Sequence, residues 1–357
     1  MTGRKRMQDP AERAEQIRGG AVSGIDAIAV VGLCAHERRR YAMELAKNRG
    51  YVFVPAEQTE QGIEIVDRLV ALLGKTAGVR GFVLEYADDA ACPEVIGALS
   101  AADSQAVLSD LVCVVDLMCF RSDLEAEERC GRLVAQIEFA STLALLAPVG
   151  AMAAGPIEGD AMADEAGVQE AVDLIAHLAP EARRFVLDGG SVHEPVCWDF
   201  GQRPPSAGWT AILNSEFIPP DHAERASGVR YEQARPFHPQ RLQAVLVAAL
   251  GEGCWGRIIR SAGFARLASR PYVTAHWDQT GTRLMLAPLT AGPYLGEGAE
   301  LLALGQELAF IGIDLDEAGL TEALERAVLT DAELLAGPMA WLEYCDEFPA
   351  WHSAHPG

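Results

Sequence analysis

From Ile25 onward the chain alternates short, continuously apolar runs with segments of helical period. The runs cover residues 25–31, 51–54, 81–84, 111–117 and 143–149, and helices are expected between them at 38–47, 63–73, 93–99 and 129–143. Strands that lack in-and-out alternation are covered on both faces, as in a parallel sheet flanked by helices. Residues 25–187 are therefore predicted to form a doubly wound α/β domain, with an acidic helix over 165–178. The second half reads differently, because its strands alternate. Residues 229–233, 257–267 and 309–313 are strand-like. Val273, Ala275 and Trp277 point one way, after which 278–281 turns the chain into a strand at 283–286. Pro239 opens a helix running to 250, and Asp314 or Asp316 can cap another that reaches Val328. A smaller α+β domain is thus expected over 228–331, after a Gly- and Pro-rich linker at 188–227, with a loose N-terminal tail at 1–24 and a C-terminal tail at 332–357.

Size supports two units, since 357 residues exceed what one hydrophobic core usually holds. Charge narrows the partners. Against 29 Lys and Arg stand 51 Asp and Glu, a formal charge of −22 that repels phosphate backbones and anionic lipid alike. A membrane partner is excluded on this ground, and nucleic acid is disfavoured unless a basic patch is segregated. Arg230, Arg235, Arg241, Arg257, Arg260, Arg266 and Arg270 are concentrated enough to raise that question. They either form a local patch for an acidic partner or RNA, or pair with the surrounding carboxylates. The longest uncharged stretch, residues 139–157, is broken by Pro148, Gly150, Gly155 and Pro156, so no spanning helix is expected there. No apolar leader precedes Ile25 and the eight cysteines contain no C-x-x-C pair. Reduced thiols and a cytoplasmic location are the expectation. Among the histidines, His222 and His276 stand alone, and His352 and His355 form a weak pair near the end.

A resemblance enters through several blocks in order: Arg235-Pro236-Phe237-His238-Pro239 with Arg241, then Arg260-Ser261-Ala262-Gly263-Phe264, Arg270-Pro271, Trp277 and the run from Gln306 to Leu315. These resemble the C-terminal domain of the CobW-like family of P-loop GTPases, many of which act as metal chaperones or metal-insertion proteins. The resemblance implies a P-loop NTPase-like sheet in front, with GTP and magnesium bound there, and metal handling as the activity. The motifs for that chemistry are degenerate. Where the family has Gly-x-x-x-x-Gly-Lys-[Ser/Thr], whose backbone N–H groups cradle phosphate, this chain reads Gly32-Leu33-Cys34-Ala35-His36-Glu37-Arg38-Arg39. Glu37 replaces the second glycine and Arg39 brings no hydroxyl for magnesium; Arg38 either stands in for the lysine or simply begins a helix. Glu85, in Glu85-Tyr86-Ala87-Asp88, keeps the register of the family's switch acid, and Asp116 matches a further acid after the fourth strand. The guanine-reading Asn-Lys-x-Asp is replaced by Leu146-Ala147-Pro148-Val149. The family's Cys-x-Cys-Cys metal element has no counterpart, since no Cys or His lies between Val54 and Gly81.

The expected site is accordingly a vestigial nucleotide pocket of Gly32, Arg38, Arg39, Glu85 and Asp116. The signature residues Arg235, Phe237, His238, Arg241, Arg260, Gly263, Phe264, Arg270 and Trp277 are candidates for contact with a protein partner. GTP and magnesium rest on the resemblance alone, and zinc lacks ligands. The leading expectation is a non-hydrolysing binding or regulatory protein of zinc homeostasis. The alternatives are an active GTP-binding metallochaperone with a rearranged site around Arg38, Glu85 and Asp116, and a ribosome- or RNA-associated stress protein.

Overall fold

The computed structural model describes residues 25–59, 68, 72, 78–101, 104–147, 161–187, 198, 200, 206–219, 225–289 and 305–351. The expected tail 1–24, most of helix 63–73, much of linker 188–227, Pro148, Val149, His222, His352 and His355 lie outside them. In the first domain the described elements run β1 Ile25–Val31, α1 Ala35–Arg49, β2 Val52–Val54, α2 Ala56–Thr59, β3 Gly81–Glu85 and α3 Cys92–Leu99. They continue as β4 Ala106–Asp116, α4 Phe120–Glu125, α5 Glu127–Phe139, β5 Thr142–Leu146, α6 Ala161–Leu178 and β6 Arg183–Leu187. The sheet is parallel, in the order β2-β3-β1-β4-β5-β6. Its central strands are buried over most of their length, which is why their sequences are largely apolar.

Three local expectations needed correction. The helix expected over 129–143 is α5, which ends already at Phe139, so that Leu143 lies in β5, and the short α4 before it was not anticipated. Strand β6 was missed because it opens on exposed Arg183 and Arg184 at the sheet edge, where an apolar run is not required. The start of the C-terminal tail carries two helices that were not anticipated, α10 Asp331–Ala336 and α11 Pro338–Trp341, which bury Trp341.

The second domain follows α7 Gly208–Leu213. It contains β7 Ala226–Gln233, α8 Pro239–Leu246, β8 Arg257–Ala265, β9 Ala275–Thr280, β10 Arg283–Pro288, β11 Gln306–Ile313 and α9 Glu317–Ala327. Helix α8 widens into a π-helical turn, Val247–Gly251. The sheet is antiparallel, in the order β10-β9-β8-β11-β7. The hairpin turns at Gly281 and Thr282, so Asp278, Gln279 and Thr280 are strand residues, not the turn itself. Asp316 caps α9 by accepting from the Gly319 N–H, while Asp314 occupies a left-handed position at φ 52°.

Alternation in this sheet explains how the halves join. Leu308, Phe310, Ile258 and Trp277 build a core with Leu242 of α8 and Leu320 and Leu324 of α9. The neighbouring positions Ala309, Ile311, Ile313 and Ile259 merge instead with Ile137 of α5, Leu174 and Ile175 of α6 and Ile212 of α7. The first-domain core therefore continues without a break into one face of the second sheet. Among the described residues no helix is long and apolar enough to cross a membrane.

Candidate functional site

The end of β1 approaches β4 closely. Gly32 has φ +148°, and a Cβ there would lie 2.5 Å from the Val114 carbonyl oxygen, so only glycine lets the chain pass from β1 into α1 at this point. The N-terminus of α1 is thereby aimed at the C-terminal edge of the sheet, where a phosphate-binding loop would stand. What fills that place is an ion-pair cluster. Arg38, 4% exposed, turns back so that Nη1 donates to the Gly32 carbonyl at 2.6 Å and Nε to Glu85 Oε1 at 3.2 Å. Arg39 Nε donates to Glu85 Oε2 at 3.0 Å, and its Nη2 reaches both oxygens of Glu57 at 2.6 Å. The Ala56 N–H also points at Glu85 Oε2, at 3.3 Å, and Thr59 Oγ1 donates to the Glu85 carbonyl at 2.6 Å.

Glu85 sits at the end of β3 with no exposed surface, so two guanidinium groups and an amide replace the water it gives up. Arg39 in turn holds the exposed Glu57 carboxyl below the usual carboxylate range. Asp116 does not join this cluster: its Oδ1 accepts from the Met118 N–H at 3.0 Å and caps the turn after β4. Nearby Cys119 is no primed nucleophile, since burial first and then Asp116 push its thiol up.

These residues do not fit a magnesium triphosphate. The one cation that could stand for the phosphate-loop lysine, Arg38, is turned onto the loop's own carbonyl and onto Glu85. The acid that would orient metal or water is neutralised by Arg38 and Arg39. Of the expected pocket, Gly32, Arg38, Arg39 and Glu85 are brought together and Asp116 stands apart. Sequence reasoning missed Glu57, for which the only signal was an acid on the second strand's following helix.

Several signature residues of the second domain sit in its framework. Phe237 and Trp277 are core, with Trp277 Nε1 donating to Ser261 Oγ at 2.8 Å. Gly263, at φ +144°, lets β8 pass where a Cβ would stand 2.0 Å from the Glu307 carbonyl oxygen. Phe264 lies beside His276, ring centroids 6.2 Å apart. The His238 ring packs on Tyr344 at 4.4 Å; its Nδ1 is buried without a hydrogen-bond partner, and burial lowers its pKa.

Six of the seven arginines of the expected patch are engaged by carboxylates or carbonyls of the protein itself. Arg230 pairs with Glu307, Arg235 with Asp331, Arg241 in two-pronged fashion with Glu333, and Arg270 with Asp346, while Arg266 donates to the Pro271 carbonyl. Arg241 holds Glu333 down to about 2. Arg260 crosses the domain boundary. Its Nε donates to Glu138 Oε1 of α5 at 2.8 Å and its Nη1 binds Asp278 and the carbonyls of Ser261 and Gln279, with Trp209 against the guanidinium. This group forms one end of a cleft of about 1140 Å³ between α5 and strands β9 and β10. Among the described residues no three His, Cys, Asp or Glu side chains are grouped to hold a metal ion.

The comparisons with known proteins agree with this architecture. Residues 226–328 match the family model described as the cobalamin synthesis protein cobW C-terminal domain. A zinc-regulated GTPase metalloprotein activator of Dictyostelium discoideum is 28% identical over 208 residues, 52% of this chain and 43% of that protein. A zinc chaperone of Mycobacterium tuberculosis is 28% identical over 256 residues, 62% of this chain and 56% of that protein. The chain thus spans about half the length of the curated relatives it matches. The solved Zn(II)-bound YjiA GTPase from E. coli aligns over 86% of this chain and 99% of its own at 12% identity, with a TM-score of 0.37. With the signature blocks and the matched segment in agreement, the chain is built of a parallel-sheet domain followed by a cobW C-terminal domain over residues 226–328.

Proposed function

We propose that this protein acts in zinc homeostasis as a cytoplasmic, non-hydrolysing member of the CobW-like group, working through a protein partner rather than through GTP turnover. The observation that carries the proposal is the pairing of Glu85 with both Arg38 and Arg39 across the phosphate-loop position. Binding a triphosphate would require Arg38 to leave Gly32 and Glu85, leaving a fully buried carboxylate with Arg39 as its one guanidinium partner next to incoming negative charge. The missing Asn-Lys-x-Asp removes base recognition as well. The zinc-chaperone and metalloprotein-activator names of the relatives support the placement in metal homeostasis. The ion-paired arginines weigh against an RNA-associated role.

Titration of the full chain with a fluorescent GTP analogue and magnesium is the direct test. No saturable binding in the micromolar range is expected, and no phosphate release above background. Micromolar affinity or sustained GTP hydrolysis would overturn the proposal in favour of a rearranged active site around Arg38, Glu85 and Asp116.

A further inference from the structure

Residues 331–351 hold five carboxylates, Asp331, Glu333, Glu343, Asp346 and Glu347, and no lysine or arginine. Within this stretch α10 and α11, joined at Gly337, turn four large apolar side chains to solvent: Leu334 at 38%, Leu335 at 87%, Met339 at 77% and Leu342 at 52% exposure. No other nine-residue window among the described residues exposes more than two. Single exposed apolar residues need no explanation, whereas a contiguous group on ordered backbone marks a contact surface.

The backbone beneath the group is firmly held. Thr330 and Glu333 form a reciprocal capping box at the start of α10. Trp341 is buried with Ala268 and Leu329, and its Nε1 donates to the Glu333 carbonyl at 2.7 Å. Three of the carboxylates are already neutralised, Asp331 by Arg235, Glu333 by Arg241 and Asp346 by Arg270. Glu343 and Glu347 are exposed and make no ion pair among the described residues. The surface is therefore an apolar ridge, with Met339 and Leu342 three residues apart on one face, bordered by two uncompensated negative charges.

We infer that this ridge is the docking site for a basic amphipathic helix of a partner protein. Apolar side chains of that helix pack on Leu335, Met339 and Leu342, and its lysines or arginines meet Glu343 and Glu347. Charge complementarity selects this occupant. A second copy of the chain would bring the same carboxylates and a net −22 against the ridge, and an anionic membrane is repelled for the same reason. The surface belongs to the second domain's end and is independent of what the first domain binds.

The test uses the full chain titrated with a fluorescein-labelled Lys–Leu peptide of helical period and with its Glu–Leu counterpart. Saturable anisotropy is expected for the Lys–Leu peptide only. Binding should weaken about tenfold or more in the Leu335→Ser/Met339→Ser/Leu342→Ser variant and comparably in Glu343→Lys/Glu347→Lys. Since all five residues are exposed, both variants should melt with the wild-type protein. Unchanged binding in both variants would reduce the effect to diffuse attraction by an acidic protein and overturn the inference. Equal binding of the Glu–Leu peptide would do the same, as would a sedimenting dimer that the triple variant dissolves.

Discussion

Glu85 and Glu138 are both buried glutamates of the parallel-sheet domain, and each is answered by arginine, yet the two pairings do opposite things. Glu85 receives two guanidinium groups from adjacent residues of α1, with an amide from its own domain as a third donor. It is satisfied locally, and the result is a closed phosphate position. Glu138 receives one guanidinium, from Arg260 of the other domain, and shares it with Asp278. Burial outweighs that single partner and keeps the Glu138 carboxyl above its usual range. Redundant pairing within a domain leaves a buried charge answered locally; single pairing across a boundary makes one domain's stability depend on the other's.

The largest effect is expected from breaking the single pair. Arg260→Met leaves the buried Glu138 and the half-buried Asp278 without their cation and should cost about 3–5 kcal/mol in urea unfolding at pH 7.5. The loss should shrink toward pH 5, because the stranded Glu138 can take up a proton, and Glu138→Met in the same chain should recover much of it. Arg38→Met should cost less, about 1–3 kcal/mol, because Arg39 still answers Glu85. Equal losses in the two single variants would show that the second guanidinium contributes nothing.

Two smaller effects carry opposite pH signs. Asp110 accepts from Ser141 and Thr142 inside the sheet, but burial raises its pKa to about 6. The folded state then binds a proton that the unfolded chain, at its ordinary value of 3.8, has already released, so stability is lost as pH rises through 6. Asp110→Asn should accordingly raise Tm by about 2–4 °C at pH 7.5 and by less at pH 5. His177 lies at the junction against Phe217, ring centroids 5.1 Å apart, and burial lowers its pKa from 6.5. Here the unfolded chain binds the proton first, so stability falls as pH drops below 6.5. His177→Gln should flatten the acid side of the Tm profile by a degree or two, roughly.

The same contrast explains what could be read in advance. The strands of the first sheet are largely apolar because helices cover both faces, and the second sheet alternates because its two faces serve different cores; both patterns were legible. Strand β6 escaped because an edge strand with one solvated end carries no such run. The pair Arg260 and Glu138 lies 122 residues apart and has no local signature, so Arg260 was grouped with surface arginines although it is 6% exposed. The helices past 331 were missed because each is only a turn or so long and most of what anchors them, Trp341 against Ala268 and Leu329 and the pairs of Asp331 and Glu333 with Arg235 and Arg241, lies far away in the chain; the local capping box of Thr330 and Glu333 was the one signal in the sequence.

Residue identity by itself determined which chemistry is missing: no lysine or hydroxyl in the phosphate loop, no base-reading acid, no thiolate cluster before β3. Those are absences of functional groups, and geometry cannot restore a group the chain does not carry. Only the tertiary structure decided what the remaining charges do. The energy of a carboxylate depends on its burial and on which guanidinium reaches it through low-dielectric surroundings, and both are set by contacts between segments far apart in the chain.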